Sequence, residues 1–116
     1  MPIGRVGFFA DGEVQVLPVN HVVDGQDVIF RTAQGSKLSA TDGRSPITFE
    51  ADDYDEQTHS GWSVVMNGRA ESVDEDAELD RLSRTGLRPW AGTVERPFWI
   101  RIRPTSVSGR RTPQAQ

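Results

Sequence analysis

Two cations flank a turn of small polar residues in the stretch VIFRTAQGSKL, residues 28–38. Arg31 ends a β-branched and aromatic run, and Lys37 closes the turn that follows it. Arginine offers a bidentate fork and lysine a point charge, while the Ser36 hydroxyl and the turn amides can donate hydrogen bonds. This set of donors is suited to binding an anion, above all a phosphate. The alternative is a solvated hairpin loop.

Other site chemistries find no support in the residue pattern. The order Gly-Ser-Lys, with no helix pattern after it, differs from the phosphate-binding loop of nucleotide hydrolases. His59 is expected at the surface, and His21 either faces a ligand or lies at the rim. The acids of residues 52–56 lack the spacing of a calcium loop and indicate a solvated turn, so we assign no metal. Ser63 lacks the glycine two residues later that a serine-hydrolase turn requires.

Length and composition restrict the class of protein. The chain has 116 residues, enough for one domain, and it has no cysteine, which excludes disulfides and thiolate chemistry. Its net charge of −4 argues against a nucleic-acid ligand, which demands a basic face. No apolar run approaches the length of a membrane span. We therefore expect a soluble, cytoplasmic protein that binds neither nucleic acid nor membrane.

Short strand-like runs between turns dominate the sequence. The turns are Asp11-Gly12 and Asp24-Gly25, and Gly68 marks a bulge within a long strand, with a hairpin at Asn67-Gly68 as the alternative. The six runs are RVGFFA, EVQVLPVNHVV, DVIFRT, PITFEAD, SGWSVVMNGRAESV and FWIRIRPTSV. Their spacing predicts an antiparallel meander that forms a small barrel or a strongly coiled sheet.

One helix is predicted, within residues 71–86. Ser72 is the expected N-cap, Glu75 completes a capping box, and Gly86 is the expected C-cap.

The last run is the most regular alternation in the chain. Phe98, Ile100 and Ile102 share one face of this strand, and Trp99, Arg101 and Arg103 share the other. Three tryptophans are more than a small core readily buries, which indicates a cofactor cleft or a subunit contact.

The order of these runs from Gly4 to Arg111 resembles the pyridoxamine 5′-phosphate oxidase-like family, in particular its nitroimidazole-resistance and flavin/deazaflavin oxidoreductase branch. The resemblance implies a mainly β fold, a six-stranded antiparallel split β-barrel with one or two short helices. Residues 4–111 would form this FMN-binding domain, and 112–116 a flexible C-terminal tail. It also implies a homodimer with FMN at the subunit interface.

The resemblance further implies which residues bind the cofactor. Those matching the phosphate-contacting stretch are Arg31, Thr32, Ser36 and Lys37. Those matching the strand edge beside the isoalloxazine are Pro18, Val19 and Asn20, and those matching the strand start near the flavin ring are Trp62 and Ser63. The substrate-binding basic residues of true pyridoxamine phosphate oxidases have no counterpart here, so the vitamin B6 reaction is not carried over.

The leading hypothesis is a flavin-dependent oxidoreductase that acts on a small molecule, with the chemistry supplied by the cofactor and no catalytic residue nominated. One alternative is a reductase that uses the deazaflavin F420. Another is a non-catalytic flavin-binding or stress module. A third is a cofactor-free barrel in which Trp99 and Arg101 form a surface for a partner protein.

Overall fold

The computed structural model describes residues 4–10, 12–32, 42–84 and 98–112, which form seven strands and one helix. In chain order these elements are β1 (Gly4–Ala10), β2 (Glu13–Val19), β3 (His21–Asp24), β4 (Asp27–Thr32), β5 (Asp42–Asp55), β6 (Ser60–Ser72), α1 (Asp76–Ser83) and β7 (Phe98–Thr112). The predicted mainly β class is confirmed. Within the described ranges, no helix is long and apolar enough to cross a membrane.

Two predicted turns have the backbone that their glycines favour. Gly12 and Gly25 have φ values of 78° and 65°, the left-handed region that glycine adopts without steric cost. Gly25 belongs to the two-residue connection between Asp24 and Asp27, which pair at the end of the β3–β4 hairpin. These glycines allow the tight reversals on which the hairpins depend.

All seven strands form one antiparallel sheet in the order β2-β1-β5-β6-β7-β4-β3. The predicted meander is therefore wrong. β5 has both of its edges occupied, by β1 and β6, so β4 cannot lie beside it. Instead Val28 and Phe30 of β4 pair with Ile102 and Ile100 of β7. Matching of inward-facing apolar residues, rather than chain order, decides these neighbours.

A single residue, Asn20, joins the two edge strands of the sheet. Val19 ends β2 and His21 begins β3, although these strands lie at opposite ends of the strand order. The sheet must therefore curl until its edges meet, and β2 also approaches β4. This curled sheet confirms the predicted split barrel. The described residues form seven strands rather than six because the run at residues 13–23 breaks at Asn20.

The inner face of the curled sheet holds the main core. Strand side chains alternate between the two faces, so every second residue points inwards. The buried residues of this core are Val6, Phe8, Val19, Val28, Phe30, Ile47, Phe49, Ala51, Met66, Ala70, Ile100 and Ile102. Ile100 and Ile102 share the inner face, as the alternation of the last run predicts.

Helix α1 covers part of the outer face. Leu82 of α1 is fully buried and packs with Ile29 and with Trp99, which is only 8% exposed. Just before the helix, the Val73 N–H donates to the Trp99 carbonyl at 2.9 Å. Because this chain's own helix covers Trp99 and Arg101 is also buried, the interpretation of these residues as a partner surface is wrong.

An ion-pair network fastens α1 to the β3–β4 hairpin. Arg101 donates to Asp27 at 2.7 Å, to Glu78 at 2.6 Å and to Asp24 at 3.0 Å. Arg81 of α1 also donates to Asp24, at 2.8 Å. Hydrogen bonds from Arg81 and then Arg101 lower the pKa of the Asp24 carboxyl. The network explains why arginine occupies a face that the helix covers.

The helix begins later than the sequence predicts. Ser72 still pairs with Ile100 in the β6–β7 ladder. The N-cap is Glu75, without a hydrogen bond from its side chain to the helix. The predicted capping box at Ser72 is therefore wrong, because the backbone of Ser72 belongs to the sheet. The predicted C-cap, Gly86, lies outside the described residues.

β6 continues through Gly68, and a bulge is present there, but its extra residue lies on β7 and not within β6 as predicted. The register with β7 shifts between Asn67 and Gly68, which leaves Thr105 as the extra residue on β7. The Thr105 hydroxyl donates to the Asn67 carbonyl at 3.1 Å. A Cβ atom at Gly68 would lie 2.3 Å from the Arg103 carbonyl oxygen. The backbones of β6 and β7 thus approach more closely here than any side chain permits.

Candidate functional site

Arg31, the first of the two predicted phosphate-binding cations, lies near the end of β4. Its backbone pairs with Trp99 of β7, and its Cζ lies 4.8 Å from the centroid of the Trp99 ring, within the range of a cation–π contact. Trp99 itself is packed against Ile29 and Leu82. The guanidinium therefore stacks on a fixed surface. A cation–π contact uses none of the N–H donors of a guanidinium, so it is compatible with an oxyanion bound through those donors.

The end of β4 lies beside the junction of the two sheet edges. His21 of β3 pairs with Phe30 of β4, and the next residues in that register are Asn20 and Arg31. Curling of the sheet thus brings these two candidate residues to one edge of the barrel. Thr32 ends β4, and its backbone pairs with the first residue of β7.

Pro18 and Val19 reach the same edge but differ in exposure. Val19 is 1% exposed and belongs to the core, so a ligand can meet only its backbone. Pro18 is exposed, since neighbouring strand residues point to opposite faces, and Asn20 is half-buried. Of the three residues predicted beside the isoalloxazine, Pro18 and Asn20 therefore present side chains to the surface.

Trp62 and Ser63 lie far from Arg31 along the sheet. Trp62 pairs with Arg111 of β7, whereas Arg31 pairs with Trp99. The path along β7 between these two pairs is about 40 Å, at about 3.3 Å per residue. One copy of the chain therefore does not bring Trp62 to the end of the barrel that holds Arg31.

Around Trp62 the sheet continues beyond the closed part of the barrel. β1 pairs with β5 only as far as Ala51, whereas β5 continues to Asp55. Trp62 lies on this extension and is 38% exposed, and Val107, on the part of β7 beyond its pairing with β4, is 59% exposed. Val107 pairs with Met66, a core residue four positions from Trp62, so all three share one face of the sheet. An apolar face that continues from the core into solvent is typical of a surface covered by another protein.

Ser36 and Lys37 belong to the segment between β4 and β5 and lie outside the described residues. Their assignment to a phosphate stays a prediction from the sequence.

His21 lies inside the barrel edge rather than on its surface. It is 8% exposed, and its ring meets that of Phe49 edge-on, with 4.7 Å between centroids. Among the described residues, no group hydrogen-bonds to its Nδ1 atom. Burial lowers the pKa of the His21 imidazole below the usual 6.5. His59 is exposed, as predicted.

We expect stability to fall in acid because of His21. Its lowered pKa means that the unfolded chain binds a proton more readily than the folded chain. The contribution of the neutral His21 side chain to the free energy of unfolding is fully present above pH 6.5. It is lost as the pH falls towards the lower pKa that His21 has in the folded state, at up to about 1.4 kcal/mol per pH unit. Urea unfolding of wild type and His21→Phe between pH 5 and 8 measures this loss of stability. The free energy of unfolding should depend less on pH in the variant than in wild type.

The control for this experiment is His59→Asn, since asparagine tolerates the positive φ of 54° at this exposed position. This variant should keep the wild-type profile. An unchanged profile in His21→Phe would contradict the assignment to His21.

Trp99 is a site residue that the sequence pattern does not reveal. The alternation places Trp99 and Arg101 on one face of the last strand, but it does not show what covers that face. The sequence does contain one signal for the burial of Arg101: Asp24 and Asp27 flank a predicted turn, and in the structure they supply carboxylates for Arg101. No local signal places Arg31 opposite Trp99, because that pairing joins strands far apart in the sequence.

The curled antiparallel sheet, with its edges joined at Asn20 and one helix on its outer face, defines the class of split β-barrels. Within this class the chain belongs to the pyridoxamine 5′-phosphate oxidase family, whose family model matches residues 1–111. The family predicted from the order of the sequence runs is confirmed.

Relatives of known sequence or structure agree over most of the chain. The uncharacterized protein Rv3129 of Mycobacterium tuberculosis is 37% identical over 89 residues, which are 77% of this chain and 78% of that protein. The FAD binding protein of Mycobacterium smegmatis is 36% identical with a TM-score of 0.77, covering 99% of this chain and 89% of that one. A Corynebacterium glutamicum protein, named as a candidate pyridoxamine 5′-phosphate oxidase, is 32% identical with a TM-score of 0.82. The match covers 97% of this chain and 87% of that one.

Proposed function

We propose that the protein binds a flavin nucleotide, with the flavin phosphate at the end of β4, and acts as a flavin-dependent oxidoreductase on a small molecule. The observation that carries the proposal is Arg31, which lies over the ring of the buried Trp99, beside Asn20 and a few residues before Ser36 and Lys37 in the sequence. These donors fit a phosphate of about two negative charges even in a chain of net charge −4.

Flavin as the ligand is further supported by the Mycobacterium smegmatis relative, which is an FAD binding protein. FMN and FAD share an isoalloxazine ring on a phosphorylated ribityl chain, and the proposed site addresses this shared part. The family resemblance of the sequence implies FMN. A bound flavin supplies hydride or electron transfer, and the protein supplies binding, orientation and electrostatics. In this chain Pro18 and Asn20 would lie beside the ring.

The absorbance spectrum of freshly purified protein tests the proposal. We expect flavin bands, and chromatography of the released cofactor then distinguishes FMN, FAD and the deazaflavin F420. A colourless protein that takes up neither FMN nor FAD on titration would contradict flavin binding. If flavin binds tightly but neither nicotinamide nor deazaflavin donors reduce it, the non-catalytic flavin module is favoured over the oxidoreductase.

We also propose a homodimer with the cofactor at the subunit interface. Trp62 and Val107 are exposed apolar side chains on the face of β6 and β7 that continues from the core, and a second copy can bury them. A two-fold axis midway between Trp62 and Arg31 would bring Trp62 and Ser63 of one subunit towards Arg31 of the other. Trp62, Ser63 and Arg31 could then contact one cofactor, as the family resemblance implies, although Trp62 and Arg31 lie far apart within one chain.

Sedimentation velocity at micromolar concentration should show a species of two 12.9 kDa chains. Trp62→Glu places a charge on the proposed apolar interface and should shift the equilibrium towards monomer. A flavin-bound wild-type monomer would contradict the shared site.

Lys37→Ala should weaken FMN binding by about tenfold to a hundredfold, or about 1.5–3 kcal/mol, the range for a hydrogen bond to a charged group. Arg31→Ala should have the same effect, or a larger one if its contact is bidentate. Riboflavin has the ring and the ribityl chain without the phosphate, so its affinity should hardly change. Fluorescence titration of both flavins at one ionic strength measures the difference.

A solvated loop would leave both affinities unchanged, since exposed charges away from a site contribute little. A folding defect would weaken both equally. Either result would contradict the phosphate assignment.

A further inference from the structure

We propose that Trp99 is the positioning residue that sets the guanidinium plane of Arg31, so that helix α1, by fixing Trp99, determines how strongly the site prefers a phosphorylated flavin. This inference rests on the proposed function, because it concerns the same phosphate site. Trp99 does not touch the ligand in this account and acts only through Arg31.

The first step is the contact itself. Arg31 and Trp99 are direct partners in the β4–β7 ladder, so their Cβ atoms project from the same face at a fixed spacing. The Arg31 Cζ lies 4.8 Å from the Trp99 ring centroid. A long arginine side chain otherwise loses considerable rotamer entropy when it binds an anion. Stacking on the indole removes part of that freedom before the anion arrives.

The second step is the rigidity of the indole. Trp99 is 8% exposed and packs with Ile29 from the sheet and Leu82 from the helix. The backbone carbonyl of Trp99 accepts a hydrogen bond from Val73 just before α1. A ring held in this way offers one orientation of its π-face to Arg31.

The third step is the anchoring of the helix. Arg101 contacts Asp24 and Asp27 at the tip of the β3–β4 hairpin and Glu78 on α1. It lies two residues along β7 from Trp99, on the same face. The ion pairs therefore hold α1 over the indole, and the same hairpin includes β4, which carries Arg31.

The experiment measures selectivity, the ratio of the riboflavin dissociation constant to the FMN dissociation constant. Trp99→Leu should lower this ratio by about fivefold to tenfold, because it removes the π-face and loosens Arg31. Trp99→Phe keeps a π-face and should retain most of the ratio. Equal ratios in wild type and Trp99→Leu would overturn the inference.

Fluorinated tryptophan provides a second measurement that does not depend on a folded Trp99→Leu variant. Each ring fluorine weakens the negative face of the indole with little change in shape, so the ratio should decrease stepwise with the number of fluorines. The matched control is Arg31→Ala with the same labels, in which the series should be flat. Two results would overturn the inference. One is a selectivity ratio that does not change with the number of fluorines in the protein that retains Arg31. The other is an equal decrease in both proteins, which would come from Trp62 and Trp90, since these residues carry the labels too.

Failure of the proposed function gives a different result. If wild type binds riboflavin as well as FMN, or binds neither, the phosphate site itself is wrong. If wild type prefers FMN and Arg31→Ala loses the preference, the site is supported, and the fluorine series alone decides the role of Trp99.

Discussion

Replacing Arg101 by methionine is expected to lower the free energy of unfolding by about 3 kcal/mol, the lower end of the range for removing one partner from a buried ion pair, because the partner carboxylates are 18–30% exposed and Arg81 still pairs with Asp24. Methionine keeps an apolar side chain of similar length under α1. It leaves Asp24, Asp27 and Glu78 close together without the central cation, and the Asp27 side chain is only 18% exposed. Urea unfolding at pH 7 should show a lower midpoint with an unchanged m-value.

The matched control is Arg103→Met, on the same face of β7. Arg103 donates to Glu71 at 2.9 Å and lies 3.7 Å from Asp27, but its side chain is 60% exposed, and such pairs contribute less than about 1 kcal/mol. If the two variants lose stability equally, the buried network adds nothing beyond an ordinary surface ion pair.

Gly68→Ala is expected to lower the free energy of unfolding by about 3 kcal/mol, at the upper end for adding a methyl group to a well-packed site. Its Cβ would lie 2.3 Å from the Arg103 carbonyl oxygen and 2.9 Å from Cγ2 of Ile102. The carbonyl belongs to the backbone of a central strand, so relief of the clash requires β7 to move away from β6. Thermal or urea unfolding measures the loss.

Gly109→Ala provides the opposite case, in the neighbouring strand β7. The nearest atom to its Cβ is the Ser63 carbonyl oxygen at 3.6 Å, an ordinary contact. Alanine in a strand interior loses less backbone entropy on folding than glycine, so this variant should gain about 0.5–1 kcal/mol. A loss at Gly109 as large as that at Gly68 would show that the close approach is not the cause.

Local chemistry predicts the features of this fold that depend on a few neighbouring residues. Gly12 and Gly25 mark hairpins because positive φ is cheap only for glycine. Gly68 indicates a bulge because a glycine inside an apolar run implies a close approach of backbones. The alternation of Ile100 with Arg101 predicts two different faces, and both are found.

Features that depend on distant residues are not predictable in this way. Ser72 has the side chain of a good helix cap, but its pairing with Ile100 keeps it in the sheet. The break at Asn20 leaves no mark in the alternation, since it is set by the closure of the barrel. The stacking of Arg31 on Trp99 likewise follows from the pairing of β4 with β7. For the site, the sequence therefore indicates the donors but not the surface that orients them.

The central position of β7 has a consequence for the synthesis of this protein. β7 follows every other described strand in the sequence, yet it lies between β6 and β4 in the sheet, and Arg101 reaches back 74 residues to Asp27. At about 5–20 residues per second, a ribosome needs about 4–15 s to add those residues. During that interval the β3–β4 hairpin has neither the apolar partner of Phe30 nor the counterion of Asp27. The nascent chain cannot close its barrel in stages, and a ribosome that stalls before β7 leaves an open sheet edge exposed to other chains.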